Sequence, residues 1–141
     1  MNMFEVGEHK ETLRGIDVAP DHSFVATSCF KSGKVFILQL SLPASASSTL
    51  VKKEEVKVNG TPRCLLISGR GNSVFIGDAE GKITVFRADG SYKHPLAIKQ
   101  CHKDAINSLR LIKNDTVLVS CAKDKRIKFW SIPENWMEYS F

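Results

Sequence analysis

Short apolar stretches, several of them alternating with polar residues, recur along this chain between turn-forming residues, and no stretch carries apolar residues at the three-to-four spacing of a helix face. The pattern is clearest in 'AINSLRLIKNDTVLVSCAKDKRIKFWS'. Ala105 to Ile112 and Thr116 to Cys121 are apolar and partly β-branched, while Arg126 to Trp130 alternates, with Ile127 and Phe129 opposite Lys128. An Asn114-Asp115 turn and a Lys123-Asp124-Lys125 turn separate these three predicted strands. Upstream, strands are predicted near Phe4 to Val6, Leu13 to Ala19, Ser23 to Cys29, Lys34 to Leu40, Leu50 to Val58, Arg63 to Ser68, Ser73 to Gly77, Lys82 to Ala88 and Pro95 to Gln100. Pro133-Glu134-Asn135 ends the pattern, and 'WMEYSF' follows as a short strand or tail. The fold class is all-β.

The pattern also repeats at longer range. An apolar strand, a tight turn and a second strand return in 'FVATSCFKSGKVFIL', 'SVFIGDAEGKITVFR' and 'TVLVSCAKDKRIKFW'. Taking Trp130, Phe86 and Ile37 as anchors gives spacings of 44 and 49 residues. The longer interval contains 'SLPASASST', a Ser/Ala/Pro-rich insertion. The predicted repeats run over 9–40, 50–88 and 95–132, with a tail at 133–141, inside a single region 1–141.

The last repeat adds a set of polar residues in a fixed order. His102 precedes its first strand, Ser120 lies in the second, Asp124 in the turn, and Trp130 in the third. An indole N–H only donates, a hydroxyl and a neutral imidazole do both, and a carboxylate only accepts. The four can therefore form a closed relay from tryptophan to serine to histidine to aspartate. Their order and spacing resemble the structural tetrad of a WD40 repeat, with Cys101-His102 where that family has Gly-His and Trp130-Ser131 where it has Trp-Asp. The resemblance implies WD40-type propeller blades of four-stranded antiparallel sheets, and a structural role for the tetrad. In the first repeat His9 and Thr27 fill the histidine and serine places, but Lys31 and Ile37 replace aspartate and tryptophan. In the middle repeat Val58, Ile76, Glu80 and Phe86 stand there.

Three blades make an incomplete ring, since propellers close with about four to eight. The expectation is that the chain is a fragment or short isoform of a longer propeller, matching about three of its C-terminal repeats. The alternative is a ring-closing dimer. Among 141 residues, 43% are hydrophobic and 25% charged, as in ordinary globular domains, and no apolar run is long enough to span a membrane. The beginning of the chain lacks a secretory h-region. Cys29, Cys64, Cys101 and Cys121 lie far apart, which suggests reduced thiols and an intracellular setting, cytoplasmic or nuclear. Cys101-His102 lacks the second close-spaced pair of a zinc site, so no metal or cofactor is expected.

Residues 99 to 130 hold eight basic and three acidic groups, an excess equal to the whole formal charge of +5. Lys123, Lys125, Arg126 and Lys128 form a candidate basic binding surface for anionic lipid or nucleic acid; equally, they are solvated lysines that discourage edge pairing. Phe129 is expected in the core, and Trp136 and Tyr139 are candidate anchors for a partner or, equally, side chains packed on the side of the propeller. Ser120, His102 and Asp124 share the composition of a hydrolytic triad, but a serine in mid-strand is neither exposed nor at a strained turn, so no catalytic residue is expected. The resulting expectation is a non-catalytic scaffold or adaptor binding other proteins or peptides within a complex. The alternative is a basic surface that takes phosphoinositide or RNA.

Overall fold

The computed structural model describes residues 11–41, 50–69, 73–87 and 95–132. The strand expected at 4–6, His9, His94, the insertion at 42–49, the turns at 70–72 and 88–90, and Trp136 and Tyr139 in the tail lie outside these residues. The described residues form eleven strands: β1 (Leu13–Val18), β2 (Phe24–Cys29), β3 (Lys34–Ser41), β4 (Leu50–Lys57), β5 (Pro62–Ile67), β6 (Ser73–Asp78), β7 (Lys82–Arg87), β8 (Ala97–Gln100), β9 (Ile106–Ile112), β10 (Val117–Ala122) and β11 (Ile127–Ser131).

They form three antiparallel sheets in the orders β1-β2-β3-β4, β5-β6-β7-β8 and β9-β10-β11. These are all-β, WD40-type blades in an incomplete ring. The sequence repeat and the sheet are one strand out of step. β4 begins the second repeat at residue 50, yet it pairs with β3 and completes the first sheet. The inner strands β1, β5 and β9 pack successively against one another.

The period-two pattern divides each sheet into two faces. Phe24, Ala26, Val35, Ile37 and Val56 of the first sheet meet Leu65, Ile67, Val74, Ile76 and Phe86 of the second in one core. On the other face of the second sheet, Phe75, Ile83 and Val85 meet Ile106, Leu109 and Leu118 of the third. The middle strands β6 and β7 are thus buried on both faces, which is why they read as almost continuous apolar runs.

The third sheet ends this stacking, and here the expectation for Phe129 fails. Register pairs Phe129 with Val119 and Val119 with Arg110, on the face turned away from the second sheet. Phe129 and Ile127 are each 67% exposed. A period of two sends adjacent residues to opposite faces, so the burial of Trp130 requires the exposure of Phe129 while no further sheet among the described residues covers it.

Register also corrects the first-repeat anchor. Trp130 pairs with Leu118 and Phe86 with Val74; the corresponding pair in the first sheet is Leu38 with Val25. Leu38, not Ile37, therefore occupies the tryptophan place, and Ile37 points into the core shared with the second sheet. The cause is one extra residue in the β2–β3 turn, because Thr27 pairs with Phe36 whereas Ile76 pairs with Thr84 and Ser120 with Lys128.

Candidate functional site: the turn-and-loop end of the blades

In each blade, the loop entering the inner strand lies beside the turn between the second and third strands. One backbone hydrogen bond joins them in all three blades. The N–H of Phe30 donates to Thr12 O at 3.0 Å, Ala79 to Thr61 O at 2.8 Å, and Lys123 to Ala105 O at 2.9 Å. This tie asks nothing of the side chains, so it persists where the tetrad residues change.

In the third blade the structure brings all four tetrad positions together. Trp130 Nε1–H donates to Ser120 Oγ at 2.9 Å, and Ser120 Oγ lies 2.7 Å from His102 Nε2. His102 Nδ1 lies 2.9 and 3.1 Å from the two Asp124 oxygens. A carboxylate can only accept, so Nδ1 carries the proton; the serine hydroxyl, already accepting from the indole, gives its own proton to Nε2. Asp124 also accepts from the N–H groups of Lys103 and Arg126, each at 3.1 Å. Burial raises its carboxyl pKa, but the Lys103 amide, the imidazole and the Arg126 amide outweigh it and hold the value below the ordinary 3.8. The loop is thereby tied to the turn by charge-assisted bonds as well as by the backbone.

Ser120 is fully buried and His102 almost so. The hydroxyl is enclosed between indole and imidazole, an arrangement that orders a loop and presents no nucleophile to solvent. Cys101, beside it, is buried, and that burial pushes its thiol up to about 12. Burial likewise raises Cys64 to about 11. None of the four cysteines is in a disulfide.

The second blade solves the same local problem differently. Val58, Ile76 and Phe86 at the histidine, serine and tryptophan places are all buried in the first core. Among the described residues Glu80 reaches the Thr61 N–H alone, at 3.5 Å. Asp78 takes over as turn organiser, its Oδ1 accepting from the N–H groups of Glu80 and Lys82 at 3.0 and 2.8 Å. Among the described residues its Oδ2 has no hydrogen-bond partner, and Lys82 Nζ lies 3.9 Å away. Burial, reinforced by the charge of Glu80, raises the Asp78 carboxyl despite the two amides. The composition of the turn, 'GDAEG', shows the acidic residues but not which of them faces inward.

Glycine has a specific role where each turn meets the next blade. Gly33 has φ +72°, and a Cβ there would lie 2.5 Å from Val58 O; the Val58 N–H donates to Gly33 O at 2.7 Å. Gly81 has φ +86°, its Cβ direction runs into the His102 carbonyl, and its own oxygen accepts from the Cys101 and His102 N–H groups. Gln100 Nε2 adds bonds to Glu80 O and His102 O at 2.6 and 2.7 Å. The corresponding residue of the third blade is Lys125, which takes a positive φ of 65°.

The four residues proposed as a basic surface separate into two groups. Lys123, Lys125 and Arg126 are exposed on the turn. Lys128 is half-buried, donates to Cys101 O at 2.5 Å and lies 5.6 Å from the centroid of the Trp130 ring. Lys128 thus braces the tetrad. Alternation in the sequence places it opposite Phe129 but cannot reveal that its face is the covered one.

Comparison with known proteins agrees with this geometry. Residues 93–131 match the family model described as WD domain, G-beta repeat. No curated protein matched the chain's sequence. Among solved structures, Sqt1 from Chaetomium thermophilum bound to the N-terminus of the ribosomal protein L10 is similar with a TM-score of 0.77 and 14% identity, over 92% of this chain and 35% of that one. The WD40 repeats of RRP9 give a TM-score of 0.71 and 20% identity, over 92% and 38% of the two chains. The β-propeller domain of Cps50 (Swd1) from Myceliophteria thermophila gives 0.73 and 12%, over 91% and 43%. The chain therefore spans well under half the length of these structures. These findings make it a WD40-type propeller in fold, three blades long among the described residues, with a WD40 repeat at residues 93–131.

Proposed function

We propose that the chain is a non-catalytic interaction scaffold whose turn-and-loop end binds other proteins or peptides within a complex. The observation carrying this reading is the ordering of the loops at that end. Every blade ties entry loop to turn through the backbone, and the third adds the four-residue relay. Loops held rigid before binding lose little entropy when a partner arrives. The tetrad acts in this proposal as a positioning device, consistent with a serine buried away from substrate. Sqt1, similar in fold, is bound to a segment of a ribosomal protein, which supports the class of partner without naming one here. Cysteines outside any disulfide suit a reduced cytoplasmic or nuclear setting, and among the described residues no helix is long and apolar enough to cross a membrane.

Affinity capture from cells tests this reading, comparing wild type with His102→Ala, which removes the relay's hold on the third blade's entry loop and leaves the backbone tie. A defined set of proteins should be retained at physiological salt and lost with the variant. Capture that is equal for both, or intrinsic turnover that requires Ser120, would overturn it. The exposed Lys123, Lys125 and Arg126 favour a second reading, binding of phosphoinositide or RNA. That reading requires affinity to fall steeply with salt and to vanish on their joint substitution by glutamate.

A further inference from the structure

The register of the three inner strands contains a recurrence that the sequence hides. Each has a β-bulge at the same place. In β1 the irregularity lies between Leu13 and Gly15, in β5 between Pro62 and Cys64, and in β9 between Ile106 and Ser108 opposite Cys121/Ala122. The extra residues are Arg14, Arg63 and Asn107. Such a bulge re-aims one side chain out of the alternation and is over-represented beside binding sites. Here it places three long or amide side chains at the loop end of three adjacent inner strands. Arg14 and Asn107 are exposed and Arg63 half-exposed.

The charges around these residues are not mutually cancelled. Arg14, Arg63, Lys103, Lys123, Lys125 and Arg126 all lie at this end, and among the described residues the ion pairs join Lys34 to Glu55, Lys82 to Asp78 and His102 to Asp124 instead. The four acidic side chains at the surface of this end, two fewer than the basic groups, are turned onto backbone N–H groups. Glu11 accepts from Ser32, Glu80 from Thr61, Asp104 from Ala105, and Asp124 from Lys103 and Arg126. Arg14 is held over the Phe30 ring at 4.7 Å, which fixes its guanidinium, and among the described residues none accepts from its donors.

We propose that the bulge residues Arg14, Arg63 and Asn107, together with Lys103 and the Lys123–Arg126 turn, form the docking surface for an acidic peptide segment of a partner protein. The inference rests on the scaffold reading and specifies the chemistry of its partner. Forked guanidinium donors spaced one blade apart match carboxylates spaced along an extended peptide, and Asn107 offers both a donor and an acceptor for peptide groups. Nucleic acid fits less well. Among the described residues the one strongly exposed aromatic, Phe129, lies on the open sheet face, and the half-buried Phe30 at the loop end is covered by Arg14, which leaves bases little to stack on.

Selection of random twelve-residue peptides on the wild-type protein tests the proposal. Recovered sequences should be enriched several-fold in Asp and Glu over the input, and a fluorescein-labelled binder should lose at least tenfold in affinity with Arg14→Glu or Arg63→Glu. Lys113→Glu, at the opposite end of the blades, should change that affinity less than twofold. Circular dichroism confirms that each variant is folded, and Arg14→Gln and Arg63→Gln replace any that is not. Apolar or basic selected peptides, or equal binding by the bulge and Lys113 variants, would overturn the proposal. So would displacement of the peptide by a twelve-nucleotide oligouridine at lower concentration than by unlabelled peptide. If bulge variants keep the full set of captured cellular proteins, the acidic-peptide surface fails while the scaffold reading stands.

Discussion

The second and third blades set the same backbone in place with opposite chemistry. At equivalent positions one has Val58, Ile76 and Phe86, the other His102, Ser120 and Trp130. The apolar set joins a continuous core and gains transfer free energy in proportion to the area buried, with no geometric demand beyond shape. The polar set satisfies every buried donor and acceptor through short hydrogen bonds, a gain of about 1 kcal/mol net for each, but it fixes orientation. Because the backbone tie between entry loop and turn is common to both, the tetrad is one means of reinforcing that junction and not a condition for it. Its distinctive product is an ordered, charge-bearing turn at Asp124, whereas the second blade uses Asp78 at an electrostatic disadvantage.

The largest effects should come from the aromatic pair. Phe86→Ala should cost about 4 kcal/mol through its cavity, and Trp130→Ala about 3 kcal/mol because the indole is only half-buried. Urea unfolding measures both, and a much greater loss for Trp130→Ala would mean that the relay outweighs packing. Next comes the turn glycine. Gly81→Ala should lose at least about 2 kcal/mol, since a Cβ at positive φ also meets the His102 carbonyl. Lys125→Gly, at the matching place, where no loop packs against it among the described residues, should stay within about 1 kcal/mol of wild type. Gly81→Ala without effect would show that the inter-blade junction yields easily.

Smaller differences separate the serine and isoleucine places. Ser120→Ala strands the imidazole Nε2 and the indole N–H and should cost about 1–3 kcal/mol. Ile76→Val should cost about 1 kcal/mol. The two turn carboxyls should then show opposite pH dependence in thermal melts. The folded pKa of Asp124 is lowered, so its contribution is present above the ordinary value of 3.8 and lost as pH falls through the folded one. Asp124→Asn should therefore lower Tm at pH 7, by less as the pH drops. The folded pKa of Asp78 is raised, so its contribution is present below 3.8 and lost as pH rises through the folded value. Asp78→Asn should raise Tm at pH 7, with the advantage fading in acid. Shifts of the same sign would remove the contrast between the turns. Lys31→Ala, on the exposed first turn, should change stability by no more than about 0.5 kcal/mol.

The chain's alternation by itself determined its strands, because a period of two follows directly from backbone geometry and each strand advertises the face it buries. The order of His102, Ser120, Asp124 and Trp130 likewise made the resemblance to a WD40 repeat legible, since hydrogen-bonding capacity is a property of residue type. Three matters were left to the tertiary structure. Which face of β11 is covered depends on where the sheets stop stacking, and that exposed Phe129 while making Lys128 a brace. The place of Leu38 depends on one extra residue in a turn, which a fixed period passes over. The common bulge of Arg14, Arg63 and Asn107 exists only in strand pairing, because a register shift is a relation between two strands and neither sequence alone records it.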